Sequence, residues 1–175
     1  MSRATRWRYR MVFVLLVAMI LYVRIIPVAP GPGALPWPDL LLTLILAWIQ
    51  RRPDHLPALL IAGALLAQDI ALMRPLGLGA GLGFAAAEFL RGHNRGAGER
   101  PFAGEWVFVA VLIAGLTLIE MVVMLILEPG LAQPGSHLAR ALMSVIAYPV
   151  VALAIGLLGV RRPAPAERDG ALEDA

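Results

Sequence analysis

Six apolar runs dominate the chain, over residues 11–28, 36–50, 56–73, 75–90, 106–127 and 137–160, and short polar stretches between them hold most of the charge. A helix needs about 20 predominantly apolar residues, in a range of about 17–25, to cross the hydrocarbon core of a bilayer. The first, third, fifth and sixth runs meet that requirement. The second and fourth are shorter, so each reads either as a half-span or as a helix enclosed by its neighbours in a thinned bilayer. The expected fold is all-α: a polytopic membrane bundle of about six transmembrane helices, with four or five crossings as the alternative. Composition agrees, since 59% of the 175 residues are hydrophobic and 15% are charged, against about 25% charged in soluble domains. A soluble domain of this size cannot hide so much apolar surface in one core. That excludes a disordered chain and a soluble enzyme. The absence of Cys excludes a disulfide scaffold and thiolate chemistry.

Charge placement tests the count of crossings. All 15 basic residues are Arg, and the formal net charge is +3. With six crossings and a cytoplasmic N-terminus, the inside segments carry Arg3, Arg6, Arg8, Arg10, Arg51, Arg52, Arg91, Arg95, Arg100, Arg161, Arg162 and Arg168. Only Arg24, Arg74 and Arg140 fall outside. Cytoplasmic loops are enriched in Arg by the positive-inside rule, so both termini of a multi-pass membrane protein are expected in the cytoplasm. The clusters are scattered between apolar runs instead of gathered on one polar face, which argues against nucleic acid as a partner. The basic start and first run have the outline of a signal peptide. Against that reading, the apolar stretch is long, Arg24 interrupts its end, and further spans follow. Residues 1–160 are expected to form a single integral-membrane helical domain, and the polar, Pro-containing residues 161–175 a disordered cytoplasmic tail.

Ionisable groups inside spans are costly and usually find a partner or a cavity. At about 1.5 Å per residue, Arg24, Asp69 and Glu120 lie about 20 Å along the first, third and fifth helices. They fall in one outer-leaflet layer, with Gln68 beside them and Asp39, Arg74 and Arg140 just above. The expectation is that Arg24 pairs with Asp69 or Glu120; the alternative is that each group reaches the interface separately. Glu88 is three residues before Arg91, an i,i+3 pair at the membrane edge. His55, His93 and His137 fall in loops or helix ends on both sides, so no metal site is expected. Small residues four apart, such as Gly77 and Gly81 or Gly79 and Gly83, allow close helix approach in lipid. The run Leu76 to Gly83 (LGLGAGLG) is expected to press against another helix, because Gly is unfavourable in a helix interior. Pro149 predicts a kink in the last span. The hydrolase, metalloprotease, phosphate-loop and dinucleotide signatures are absent in usable context, and Ser136, Ser144 and His137 have no carboxylate placed to orient the imidazole. The chain is read as non-enzymatic and without a cofactor.

Trp37-Pro38-Asp39-Leu40-Leu41-Leu42 opens the second run after a Pro/Gly-rich loop, and it resembles the P-D-L-L-L signature of the MreD family of rod shape-determining membrane proteins. Ala67-Gln68-Asp69-Ile70, followed by Arg74-Pro75-Leu76-Gly77-Leu78-Gly79, is similar to that family's L-x-x-D…P-L-G-L segment, and the likeness extends over residues 10–160. Gly79 stands where many members carry His. The resemblance implies a non-catalytic inner-membrane scaffold of sidewall peptidoglycan synthesis. Its implied partners are an MreC-like periplasmic scaffold, an MreB-like filament, and RodA with its penicillin-binding transpeptidase. It also implies a fold like the membrane S-component of vitamin transporters. The motif positions are Pro38, Asp39, Asp69, Pro75, Leu76 and Gly77. Partner binding is expected through the outer-leaflet residues Arg24, Asp39, Asp69 and Glu120, with membrane lipid around the bundle. The S-component likeness leaves open a small-molecule binding or transport subunit. An intramembrane hydrolase or transferase using Asp69 and Glu120 is a third possibility.

Overall fold

The computed structural model describes residues 3–26, 36–95, 101–127 and 134–160. Six α-helices carry almost all of them: α1 (Arg3–Ile25), α2 (Leu40–Arg51), α3 (Ala58–Ala71), α4 (Leu78–Arg95), α5 (Phe102–Leu127) and α6 (Pro134–Leu157). One 3-10 turn, Pro53–His55, joins α2 to α3, and no strand occurs among the described residues. Each apolar run therefore becomes one helix. The expected tail, 161–175, and the Pro/Gly-rich loop before Pro36 lie outside the described residues.

Helix ends depart from the runs where local chemistry extends or cuts them. α1 begins within the basic N-terminal stretch, because Arg and Ala are good helix formers and hydropathy alone does not sense that. α4 starts at Leu78, since Gly77 just before it has φ +90°, a left-handed backbone that glycine adopts without strain. Among the described residues, only α5 and α6 are both long and apolar enough to cross a membrane unaided. α1 carries the Arg-rich start and α4 carries Arg91, His93 and Arg95. α2 and α3 have 12 and 14 residues, about 18 and 21 Å at the helical rise.

Successive helices alternate in direction, which gathers the polar residues at two ends of the bundle. At one end the start of α2 meets the end of α3 through Asp39 and Gln68, and the end of α5 meets the start of α6 through Glu120 and Arg140. At the other, Tyr9 of α1 donates to the Gly159 carbonyl beyond α6 at 3.1 Å, and Asn94 of α4 donates to Gln50 of α2 at 3.0 Å. Between the ends lies an apolar core centred on α2. Leu41 and every residue from Thr43 to Ile49 are buried, as a helix apolar all round requires. α2 packs on α6, α4, α3 and α1, and α5 packs on α6 and α4. Trp48 lies edge-on to Phe13 of α1, with ring centroids 5.5 Å apart. Enclosure by neighbours is what lets so short a helix occupy the centre.

Much of the outer surface is apolar as well. Val111, Leu118 and Ile126 of α5 and Leu142, Val150 and Leu153 of α6 are all exposed. Only 17% of the most apolar part of α5 and 22% of that of α6 are buried within the protein.

Candidate functional site

At the α2 N-terminal end, Asp39 brings together three helices and the α3–α4 turn. Its carboxylate accepts from the Leu42 backbone N–H at 3.2 Å and so caps α2, satisfying one of the donors that a helix start leaves open. The same oxygen, Oδ1, accepts from Gln68 Nε2 of α3 at 2.9 Å, and Oδ2 accepts from Arg74 at 3.4 Å. Its backbone N–H donates to Ser144 Oγ of α6 at 2.7 Å, and that hydroxyl donates to the Arg140 carbonyl at 2.7 Å. Pro38 precedes the cap and contributes the carbonyl that accepts from Leu40 N at 3.0 Å. The motif carboxylate thus ties α2 to α3 and the α3–α4 turn, and the backbone N–H of the same residue ties it to α6.

Asp69 performs a parallel task for α4. Buried at the end of α3, its Oδ2 accepts from the Gly77 and Ala80 backbone N–H groups at 3.1 and 3.0 Å. It therefore caps α4 from a different helix, and the helix dipole favours its charge there. The turn between them is tight: Arg74 N donates to the Asp69 carbonyl at 3.0 Å, and Met73 has φ +49°. Pro75 accepts from Leu78 N at 3.2 Å, and the Leu76 side chain is exposed. Gly79 explains itself by contact, since a Cβ there would lie 2.7 Å from Asp69 Oδ1. Gly83, one turn on, would bring a Cβ 3.1 Å from Leu65 of α3. The expected close approach of the Gly run is therefore made by Gly79 and Gly83 against α3, whereas Gly81 faces open space.

The layer expected from depth does assemble, with different pairings. Glu120 accepts from Arg140 of α6 at 2.6 Å and lies 4.0 Å from His137. With Asp69 engaged by backbone and Glu120 by Arg140, neither is the partner of Arg24. Arg24 is half-buried, and its electrostatic neighbours are Asp39, Arg74 and Arg140. Among the described residues no hydrogen bond or ion pair ties it down. The Arg24–Asp69 and Arg24–Glu120 pairings are thus replaced, because depth along a helix says nothing about which face a side chain takes. The expected Glu88–Arg91 pair forms, and Arg91 also donates to the Leu56 carbonyl at 2.7 Å.

A second polar cluster, at the opposite end, escaped the sequence reading. Arg51 donates to Glu105 at 3.2 Å and to the Ala47 carbonyl at 3.0 Å, and Tyr148 donates its hydroxyl to Glu105. Glu105 is only 2% exposed. Hydropathy starts the fifth run at Trp106, which leaves Glu105 in the loop by one residue. The available signal was its place in the first turn of a helix, opposite the Arg51-Arg52 pair. His55 is buried beside this end, stacked on Tyr9 at 4.6 Å, and neither ring nitrogen has a hydrogen-bond partner among the described residues. Burial, and Arg52 next, hold its pKa below the usual imidazole value.

Chemically, the Asp39–Asp69 cluster is an anchor. Both carboxylates are occupied by donors, and the space left among Asp39, Gln68, Asp69, Arg74 and Glu120 is about 40 Å³. Ligand pockets for small molecules run to about 300–1,000 Å³. No family model, curated protein or solved structure matches this chain.

Proposed function

We propose that this chain is a non-catalytic inner-membrane scaffold of bacterial cell elongation, of the MreD type, crossing the membrane six times with both termini in the cytoplasm. The observation that carries the reading is the convergence of its two resembling motifs. Pro38-Asp39 and Asp69…Pro75-Leu76-Gly77 lie 30 residues or more apart, yet their carboxylates join one cluster that sets the relative positions of α2, α3, α4 and α6. A scaffold needs such a rigid outer face and no substrate cavity behind it. The surface supports the membrane medium: α5 and α6 are apolar nearly all round and mostly unburied, which in water would expose large hydrophobic patches. Alternating helix directions also place the described inner-segment arginines at the Arg51 end. There the exposed ones, Arg6 and Arg8, meet anionic lipid, each contributing about 1 kcal/mol near the surface.

In this reading an MreC-like membrane stem docks beside the outer cluster. Asp39, Asp69 and Glu120 shape the surface from within, and Arg24 stands at its rim. Contacts with an MreB-like filament and with RodA and its penicillin-binding partner belong to the same assembly. The space of about 40 Å³ at the motif cluster disfavours a solute-binding role there. Depletion of the chain in its rod-shaped host tests the proposal. Cells are expected to round while nutrient uptake is unchanged, and normal rods with lost uptake would overturn it. Co-purification with the MreC-like partner is expected to fall at least fivefold for Asp69→Ala and for Asp39→Ala.

A further inference from the structure

We infer that His55 is a proton-operated latch on the N-terminal end of α1: neutral, it holds that end against the bundle, and protonated, it lets the end swing away while the helices behind it stay packed. The inference is independent of the elongation role, and only the side from which the protons come rests on the proposed orientation. The contacts that attach this end of α1 converge on one small area. The Tyr9 ring stacks on the His55 imidazole, with centroids 4.6 Å apart and planes 14° from parallel. The Tyr9 hydroxyl donates to the Gly159 carbonyl at 3.1 Å, and Arg10 Nε donates to the His55 carbonyl at 3.3 Å. Before Tyr9, the side chains of Arg6, Trp7 and Arg8 are exposed. One turn after it, Phe13 is buried against Trp48. Phe13 is thus the pivot, and the turn before it is held by the contacts with residues 55 and 159.

The imidazole suits this place only when neutral. It is 2% exposed, and among the described residues neither ring nitrogen has a hydrogen-bond partner. Protonation makes both nitrogens donors and adds a charge. A buried charge without a partner is far costlier than a buried neutral group, so the ring must stay neutral or reach water. The surrounding charges add to that cost. Arg6 and Arg10 act on His55 from α1, and Arg52 and Asp54 act on it from its own turn. On α2, Arg51 is bonded to Glu105, and on α4, Arg91 is bonded to Glu88 and to the Leu56 carbonyl. Among the charges acting on the ring, Asp54 alone opposes three guanidinium groups. A protonated ring gains a cation–π contact with Tyr9, but Arg8 already lies over that ring, 5.6 Å from its centroid. Swinging Tyr9 aside relieves the crowding of cations and brings water to the new N–H groups.

The test uses the full chain in detergent with spin labels on pairs of introduced cysteines, since the chain has no Cys of its own. Trp7→Cys with Val111→Cys measures the N-terminal end of α1 against α5, and Leu59→Cys with Val111→Cys measures α3 against α5. All three side chains are exposed. Double electron–electron resonance at pH 8 is expected to show one narrow distance for each pair. At pH 5 the first pair should gain a second, broader population, at least fivefold larger than at pH 8, with the second pair unchanged. His55→Phe keeps a ring for the stack and removes the proton site, so it should abolish that population. Asp54→Asn, at an exposed position, is the second variant should His55→Phe fail to fold. Without its opposing negative charge the ring takes a proton less readily, so the transition should move to lower pH. A population indifferent to both variants would assign the titration to another group and overturn the latch. A first pair that does not change in acid, or that narrows because the cation–π contact wins, would overturn it as well. Simultaneous broadening of both pairs would show loss of the whole fold in place of a local release, and would also overturn it.

Discussion

Asp69 shows how one side chain can hold two helices in register. It lies at the end of α3 and bonds to backbone donors at the start of α4. Removing a cap costs about 0.5–2 kcal/mol, and a buried donor left unpaired adds about 1–3 kcal/mol. Asp69→Ala is therefore expected to destabilise by about 1.5–5 kcal/mol on those two terms, measured as unfolding in detergent. Asp69→Asn, which keeps an acceptor, should lose less. Gly79→Ala is expected to resemble Asp69→Ala, because its methyl group would meet the capping oxygen at 2.7 Å. Gly81→Ala should instead stabilise α4 by up to about 1 kcal/mol, since it gains helix propensity in open space. A Gly81→Ala change as damaging as Gly79→Ala would show that the contact with Asp69 is not what constrains the glycine run. Both motif carboxylates were legible as polar residues near a helix end. That Asp69 serves the following helix was not, because capping across a turn depends on where the backbone returns.

The pairing of α5 with α6 turns on Glu120 and Arg140, and the linkage of α2 with α3 turns on His55. Reversing one charge of the first pair, Glu120→Arg or Arg140→Glu, places like charges together and is expected to lower stability by at least about 1.5–3 kcal/mol, the range for a charged hydrogen bond. The double reversal should recover most of that loss, whereas the Arg24 reversal expected from depth should not rescue Glu120→Arg. For His55 the sign follows from its environment. Tyr9 stacks on it, Arg6 and Arg10 reach it from α1, Arg52 and Asp54 flank it, and burial lowers its pKa from 6.5. The unfolded chain takes up the proton more readily than the folded one, so the neutral ring's contribution is intact above pH 6.5 and declines as pH falls toward the depressed folded value. The unfolding midpoint should drop between pH 8 and pH 5, and His55→Phe should flatten that part of the profile. An unchanged profile in His55→Phe would mean another group titrates.

Across the described residues, the decisive property is a largely apolar exterior wrapped around an apolar centre. The absence of Cys makes the crossing pattern directly measurable, because single introduced cysteines report accessibility without background. Ser136→Cys at the start of α6 should react with a membrane-impermeant thiol reagent in cells whose outer membrane is permeabilised. Asp54→Cys in the turn after α2 should react only after lysis. Both residues are exposed on the protein surface, so equal reactivity in unlysed cells would contradict the proposed orientation.

What was readable in advance follows from patterns local to the chain. Apolar run length and turn residues mark six helices, and Asp39 beside Pro38 marks a helix start. Such features depend on a few neighbouring residues and survive in any arrangement of the whole. The tertiary structure alone decided which helix became the centre, which acid met which base, and that Glu105 lies buried against Arg51 and Tyr148. Hydropathy measures depth and not azimuth: it places Arg24, Asp69 and Glu120 in one layer, but rotation of each helix about its axis selects the contacts. That rotation is set by packing among residues far apart in the chain, such as Gly83 against Leu65 and Trp48 against Phe13.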